Sequence, residues 1–426
     1  MSTEPSQQGG SDPDAASLAP AAVARVQRRS VWVLSGGQIL GGVAFGATVS
    51  LGAVLAAEVS GDEAFSGLAA AAVTLGTALL AVPLAALARR RGRRVSLASG
   101  MSIALVGVAL VILAAALPSF PLLLVAFGLV GAGQAANLQT RFAAADLATD
   151  ATRGRDLSIV VWATTIGAVL GPNLTGPGEA LGRAVGMPAL TGPYLITVVA
   201  QALAILLYLI ALRPDPLLLA QRVVAAARAT ATAIATSDDP VVARYAIFAV
   251  AAAHGVMVSV MAMTPVHLLH HGASLSIIGL TISLHIAGMY ALSPVFGILS
   301  DRVGRIPTIL IGQLLLAAAL VMASFGQEQT GAVTVALVLL GLGWSATTVS
   351  GSALLTEASS EAQRTRRQGL SDLVMSLVGA VGAILAGVVL AWIGYGGLAL
   401  VVGVAVVATV LLAPFGRTRP PLEAAA

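Results

Sequence analysis

Apolar residues run on along most of this chain without the strict alternation of a half-buried strand. Stretches of about 20 or more are separated by short polar, Arg-rich or Gly/Pro-rich breaks. Twelve such runs fall near 31–58, 64–88, 95–117, 121–145, 157–178, 190–212, 243–268, 274–296, 306–325, 331–353, 369–393 and 396–415. Each is long enough to cross a hydrocarbon layer of about 30 Å as a helix, whereas membrane strands would be shorter and alternating. The pattern therefore predicts an all-α membrane protein with twelve transmembrane helices in two six-helix bundles.

The division comes from the longest polar break. Residues 1–29 read as a disordered tail, polar and acidic up to residue 20 and without the apolar core of a signal peptide. Residues 30–213 hold the first six spans, 214–242 a linker, 243–416 six more, and 417–426 a second tail. The linker opens at Arg213-Pro214-Asp215-Pro216 and closes at Ser237-Asp238-Asp239-Pro240, with a candidate surface helix between. The halves repeat: Asp146, Asp150, Arg153 and Arg155 recur as Glu357, Glu361, Arg364 and Arg366 at an offset of 211, and Gly92 recurs as Gly304 at 212.

Composition agrees, with 57% hydrophobic and 10% charged residues and a mean hydropathy of +0.92, far outside the soluble range. The net charge of +4 is a topology signal and not one for nucleic acid: all 23 basic residues are Arg, and nearly all lie in loops of one side. By the positive-inside rule this puts both termini in the cytoplasm, in a multi-pass protein of the cytoplasmic (inner) membrane. The chain has no cysteine, which excludes disulfides and thiolate ligands. There is no nucleotide-binding loop, catalytic triad or acidic metal cage, so neither a primary pump nor an enzyme is expected, and no cofactor.

Chemistry concentrates between His254 and Met289. Met257 and Met261, and His285 and Met289, are pairs four apart, each on one helix face near mid-span. Thioether and imidazole without carboxylate suit Cu(I). At about 1.5 Å per residue, Met261, His285, Met257 and Met289 fall roughly 10, 13, 16 and 20 Å from the outer ends, a ladder along which an ion could pass. The bland alternative is that the methionines fill gaps in an apolar core, the reading that fits Met263. His254 shares the Met257 face and is a candidate third rung or outer partner of the metal. His267, His270 and His271, in the outer turn, either collect metal at the mouth or are a solvated cluster.

The two motifs, their order and the 28-residue offset from Met257 to His285 resemble the CcoA-like copper importers, the CalT group of the major facilitator superfamily. Gly297-Ile-Leu-Ser-Asp301-Arg302-Val-Gly304-Arg305 is similar to that superfamily's G-x-L-a-D-R-x-G-R loop. The first-half copy around Gly92 and Arg93 has Arg89 in the Asp position, so there a charge lock competes with a plain topology signal. Gly167-x-x-x-Gly171-Pro172 is similar to a motif frequent in antiporters, or is close helix packing.

The resemblance implies a monomeric secondary transporter in the lipid bilayer that imports copper, its substrate, by alternating access. Conformational-switch loops would lie at Asp301, Arg302, Gly304, Arg305, Gly92 and Arg93. Members of the wider group are taken to carry riboflavin, so an organic-solute carrier, or a proton-coupled drug efflux transporter, is the alternative. Gln134 and Asn137, three apart, are candidates for the wall of a central cavity under that alternative, on which, with Trp162, transport would then depend. No carboxylate is expected at mid-depth, which leaves His285 or His254 as the proton carrier if one exists.

Overall fold

In a computed structural model, residues 18–62, 65, 67–229 and 238–417 are described, with side chains except at 46–50, 53, 168–169, 172–173, 175, 227–229 and 275–276. Among them there are helices and turns but no strand. In the first half these are α1 (Pro20–Ser60), α2 (Leu68–Ala116), α3 (Phe120–Ala143), α4 (Arg153–Asn173), α5 (Thr175–Ala184) and α6 (Pro193–Ala211). Helix α7 (Pro216–Ala229) lies in the linker. The second half holds α8 (Pro240–His270), α9 (Leu275–Tyr290), α10 (Ser293–Val303), α11 (Arg305–Phe325), α12 (Thr330–Glu357) and α13 (Glu361–Leu411).

Two of these cross twice. Helix α2 has 49 residues and α13 has 51, more than double the roughly 20 that span a bilayer. Each folds back at a glycine: Gly92 at φ 87°, ψ 169° and Gly394 at φ 73°, ψ −179°, backbone geometry essentially confined to glycine. With these reversals the described residues form twelve crossings in two six-helix bundles. The large apolar side chains left exposed, among them Leu79, Phe325, Ile384, Trp392 and Val404, face outward, as a lipid solvent permits.

Three boundaries depart from expectation. Helix α1 begins at Pro20, inside the stretch read as tail, because Pro at its first turn is pre-set for a helix. It carries Arg25, Arg28 and Arg29 out of the apolar run; residues 1–17 lie outside the described set. The eighth span is split into α9 and α10 where Ser293-Pro294 removes a backbone donor. The fifth breaks at Leu174 between α4 and α5. The linker helix stands as α7, its first N–H groups capped by Asp215, while 230–237 lie outside the described residues.

Within the first half α2 packs on α3, and α1 on α4 and α6; within the second, α8 packs on α13 and α12 on α11 and α9. The halves meet mainly through α2 against α13 and α4 against α10. Those contacts sit at the arginine-rich end, where Gly369 lies against Ala81, Val82 and Ala85, and Gly154 lies against Gly297 backbone to backbone. Helices α1 and α8 make no comparable contact across the halves. The molecule is thus closed at its arginine-rich end.

Candidate functional site

A cavity of about 390 Å³ lies between the halves above that closure. Helix α3 presents Gln134, Asn137 and Arg141 to it, at intervals of three and four that keep them on one face. Gln38 from α1 and Thr164 from α4 complete a polar side, tied together where Gln38 donates to Thr164 at 2.8 Å and Thr140 donates to Gln38 at 2.7 Å. The Oδ1 of Asn137 is buried against Gly41 of α1 with no hydrogen-bond partner.

The second half supplies an aromatic and thioether side. The ring of Tyr290 meets Trp344 edge-on at 5.7 Å and 84°, and Trp344 lies 6.1 Å from the ring of His254. Trp344 Nε1 donates to His254 Nδ1 at 3.1 Å. Indole N–H is a donor only, so Nδ1 of His254 must accept and its proton sits on Nε2 in the neutral ring. Met257, Met261, Met289 and Met375 line the same side.

The metal ladder drawn from the sequence does not assemble as drawn. Met257, Met261 and Met289 reach one cavity, but His285 is fully buried and absent from its wall. Its Nδ1 bonds to the Leu337 carbonyl at 2.7 Å, because α9 packs on α12 and turns the ring that way. Carbonyl oxygen accepts only, so the Nδ1 proton is fixed and Nε2 keeps a lone pair that no protein group uses. His254, as a third rung, has Nδ1 occupied by Trp344. Met263 packs in the second-half core, as the gap-filling reading has it.

The rings of His267 and His271 lie 4.2 Å apart at the outer turn, each with partners of its own. His267 stacks on Tyr395 at 4.3 Å and bonds to the Gln327 carbonyl at 2.8 Å; His271 turns to the His267 carbonyl at 2.9 Å and to Glu328 at 3.3 Å; His270 is exposed.

One residue that sequence reasoning passed over borders the site. Asp372, near the start of the eleventh span, is wholly buried and forms an ion pair with Arg141 of the other half. It stands at the arginine-rich end of its span and not at mid-depth, and Arg141 pairs with it, whereas Asp146 pairs with Arg93. The available signal was an acid inside a run otherwise free of charge from Gly369 to Leu411. Arg141 also rests 4.8 Å from the ring of Phe142.

Asp146 belongs to a second network below. Arg93 grips it with Nε and Nη2 at 2.8 and 3.0 Å and reaches Gln368 of the other half at 2.6 Å. The first-half loop is thus locked in charge despite Arg89, through Arg93. The repeat places Arg305 on Glu357 in the same way, at 2.6 Å, and Arg153 of the first half joins Glu357 at 2.9 Å. Asp301 pairs with Arg305 and accepts from the backbone N–H groups of Gly154 and Arg155 at 2.8 Å each. Gly92 and Gly304, both at positive φ, make the paired turns that aim Arg93 and Arg305 inward, whereas Arg302 points to solvent. Burial is the largest influence here: it raises the Asp146 carboxyl above its ordinary value against the pull of Arg93, and lowers the Arg364 guanidinium against that of Asp146. Gly167 lies against Gly42 and Ile39 of α1, the close packing its motif allowed.

Comparison with known proteins follows the same outline. A family model described as the Major Facilitator Superfamily matches residues 34–273 and 245–426. The chain is 38% identical over 385 residues to YdeG, an uncharacterised MFS-type transporter of Bacillus subtilis, covering 88% of this chain and 89% of that protein. It is 37% identical over 389 residues to YddS of the same organism, covering 87% of each. The riboflavin transporter RfnT of Brucella anthropi is 29% identical over 363 residues, 83% of this chain and 86% of that protein. Among solved structures, the human organic anion transporter MFSD10 superposes with a TM-score of 0.74 at 17% identity, covering 91% of this chain and 99% of that one. The transporter FucP in its outward conformation gives 0.70 at 16%, with the same coverage. At such identities these two speak to fold alone.

Proposed function

The chain belongs to the Major Facilitator Superfamily, and we propose that it carries a planar heteroaromatic solute of the riboflavin kind between its two halves. As a member it is a secondary transporter and a multi-pass membrane protein, not an enzyme. The observation that carries the cargo assignment is the two-sided cavity. A volume of about 390 Å³ suits an organic solute and far exceeds what one ion needs. A flat ring system would lie against the Trp344, Tyr290 and methionine side, where face and edge contacts and soft sulfur favour it. Its amide edge would turn to α3, toward the Asn137 side chain and with a carbonyl to Arg141. The 29% identity to a riboflavin transporter points the same way.

In this reading the arginine-rich end faces the cytoplasm, both termini lie there, the protein acts as a monomer in the cytoplasmic membrane, and alternating access delivers the solute inward. The test is uptake of radiolabelled riboflavin by proteoliposomes holding the wild type, Asn137→Ala or Trp344→Ala. Saturable uptake by the wild type and its loss in both variants supports the assignment; no uptake above empty vesicles refutes it.

A second reading, copper import, keeps one specific observation. The Nδ1 of His285 is anchored on a backbone carbonyl, which is how metal-ligating imidazoles are oriented, and its Nε2 is free. Met257, Met261 and Met289 would have to converge on it through a rearrangement of α9. Copper accumulation that falls in Met257→Ala and His285→Ala while riboflavin uptake is absent would favour this reading.

A further inference from the structure

We propose that Asp372 is the proton-binding group of this carrier, and that its ion pair with Arg141 latches the two halves together until a proton releases it. The inference rests on the carrier reading but not on the identity of the cargo.

The geometry is that of a link between bodies that must separate. Arg141 is on α3 of the first half and Asp372 on α13 of the second, so opening the arginine-rich end pulls the pair apart. Both side chains are sequestered, at 5% and 0% exposure, and of the two only Arg141 borders the cavity. A charge left alone there is costly, and the pair persists only while both members are charged. Yet the pair is incomplete: Asp372 Oδ2 and Arg141 Nε have no partner. Oδ2 is a vacant acceptor that a proton can occupy.

A route exists. Arg141 lines the cavity, and so does Met375, one turn along α13 on the face of Asp372. A proton drawn from cavity water bonds to a carboxylate oxygen, neutralises Asp372, and is released to the arginine-rich side once the halves part there. The freed guanidinium then faces the cavity, where a solute carbonyl can take the place of the carboxylate.

The charged and titratable neighbours are few. From α2, Arg93 acts on Asp372 and is itself held by Asp146 and Gln368. His254 of α8 and Tyr290 of α9 act on Arg141. Among the described residues no other group donates to Asp372, which singles out Arg141 as the partner whose loss frees it.

The chain has no cysteine, so spin labels can be placed at will. Thr149 and Arg302 are exposed and stand on opposite halves at the arginine-rich end. Distances between labels on Thr149→Cys and Arg302→Cys are measured by pulsed electron resonance at pH 8 and pH 5.5, without any cargo. The expected result is a tenfold or larger rise in the open-to-closed ratio on acidification. With Asp372→Asn the open form dominates at both values, and Asp372→Glu restores the response. The Asp372→Asn comparison leaves the other carboxylates at this end, Asp146, Asp301 and Glu357, intact. Because that variant buries a lone Arg141, the Arg141→Gln/Asp372→Asn pair, which buries no charge, is measured beside it and is expected to be open and insensitive to pH.

A wild type whose distances ignore pH, or an Asp372→Asn or double variant that keeps the wild-type response, overturns the proposal. Riboflavin exchange at equal pH on both sides reads the cargo separately. If it fails for the wild type the cargo is wrong, whatever the distances return.

Discussion

Replacing Asp301 by Ala should loosen the closed end without touching the cavity. The Asp301 carboxylate accepts from Gly154 and Arg155 at 2.8 Å each, and both donors are first-turn N–H groups of α4 that no intrahelical carbonyl can satisfy. These two bonds cross from the second half to the first. A hydrogen bond to a charged group nets about 1.5–3 kcal/mol, so the closed state loses at least about 3 kcal/mol. The open state loses almost nothing, since there the same groups are hydrated. Arg305 is not stranded, because Glu357 and Ser300 hold it at 2.6 and 3.1 Å. At about 1.4 kcal/mol per factor of ten, the closed-to-open ratio falls roughly a hundredfold. Spin-label distances between Thr149→Cys and Arg302→Cys should then gain a long component absent from the parent. An unchanged distance distribution would refute the assignment of Asp301 as a bridge between the halves.

Gly92→Ala forces a side chain into a region near φ 87°, ψ 169°, where its Cβ would also meet the Asp215 carboxylate; a loss of about 1–3 kcal/mol is expected in detergent unfolding by circular dichroism. Gly167→Ala sets a Cβ 2.7 Å from Gly42 Cα and the Ile39 oxygen, both backbone, so the variant should unfold at lower temperature by an amount typical of overpacking, about 1–3 kcal/mol. Trp344→Phe keeps the aromatic wall but deletes the donor to His254; thermal unfolding should show a loss of about 0.5–1.5 kcal/mol, the worth of one neutral hydrogen bond, while riboflavin binding persists. His285→Ala should lower thermal stability while riboflavin exchange persists, since the ring holds the Leu337 carbonyl and does not line the cavity; loss of exchange would contradict that placement.

Much of the fold was legible because a bilayer imposes length and apolarity on every span, and the arginine loops fix the ends of each. The doubling back at Gly92 was visible as a loop motif, but its partner in charge was not. Arg89 looked like a broken lock because the eye compares like with like at one position, whereas Arg93 reaches Asp146 across 53 residues. The pair Gln134 and Asn137 was readable from helical spacing, and Met257 and Met261 likewise, while the place of Arg141 beside them was not. His285 was read onto the same cavity from periodicity alone; which side of α9 meets α12 is a packing fact that four-residue spacing does not contain. Asp372 was missed because its span opens with it, and an acid at the head of a span looks like the tail of a loop until the other half supplies its arginine.

The account depends on one cavity between the halves that takes a flat organic solute. Purified protein titrated with riboflavin, by quenching of flavin fluorescence, and separately with Cu(I), tests it most directly. Saturable riboflavin binding is expected, weakened at least tenfold by Asn137→Ala and by Trp344→Ala and indifferent to Cu(I). Absence of riboflavin binding together with Cu(I) binding that disappears in Met257→Ala and His285→Ala would contradict it.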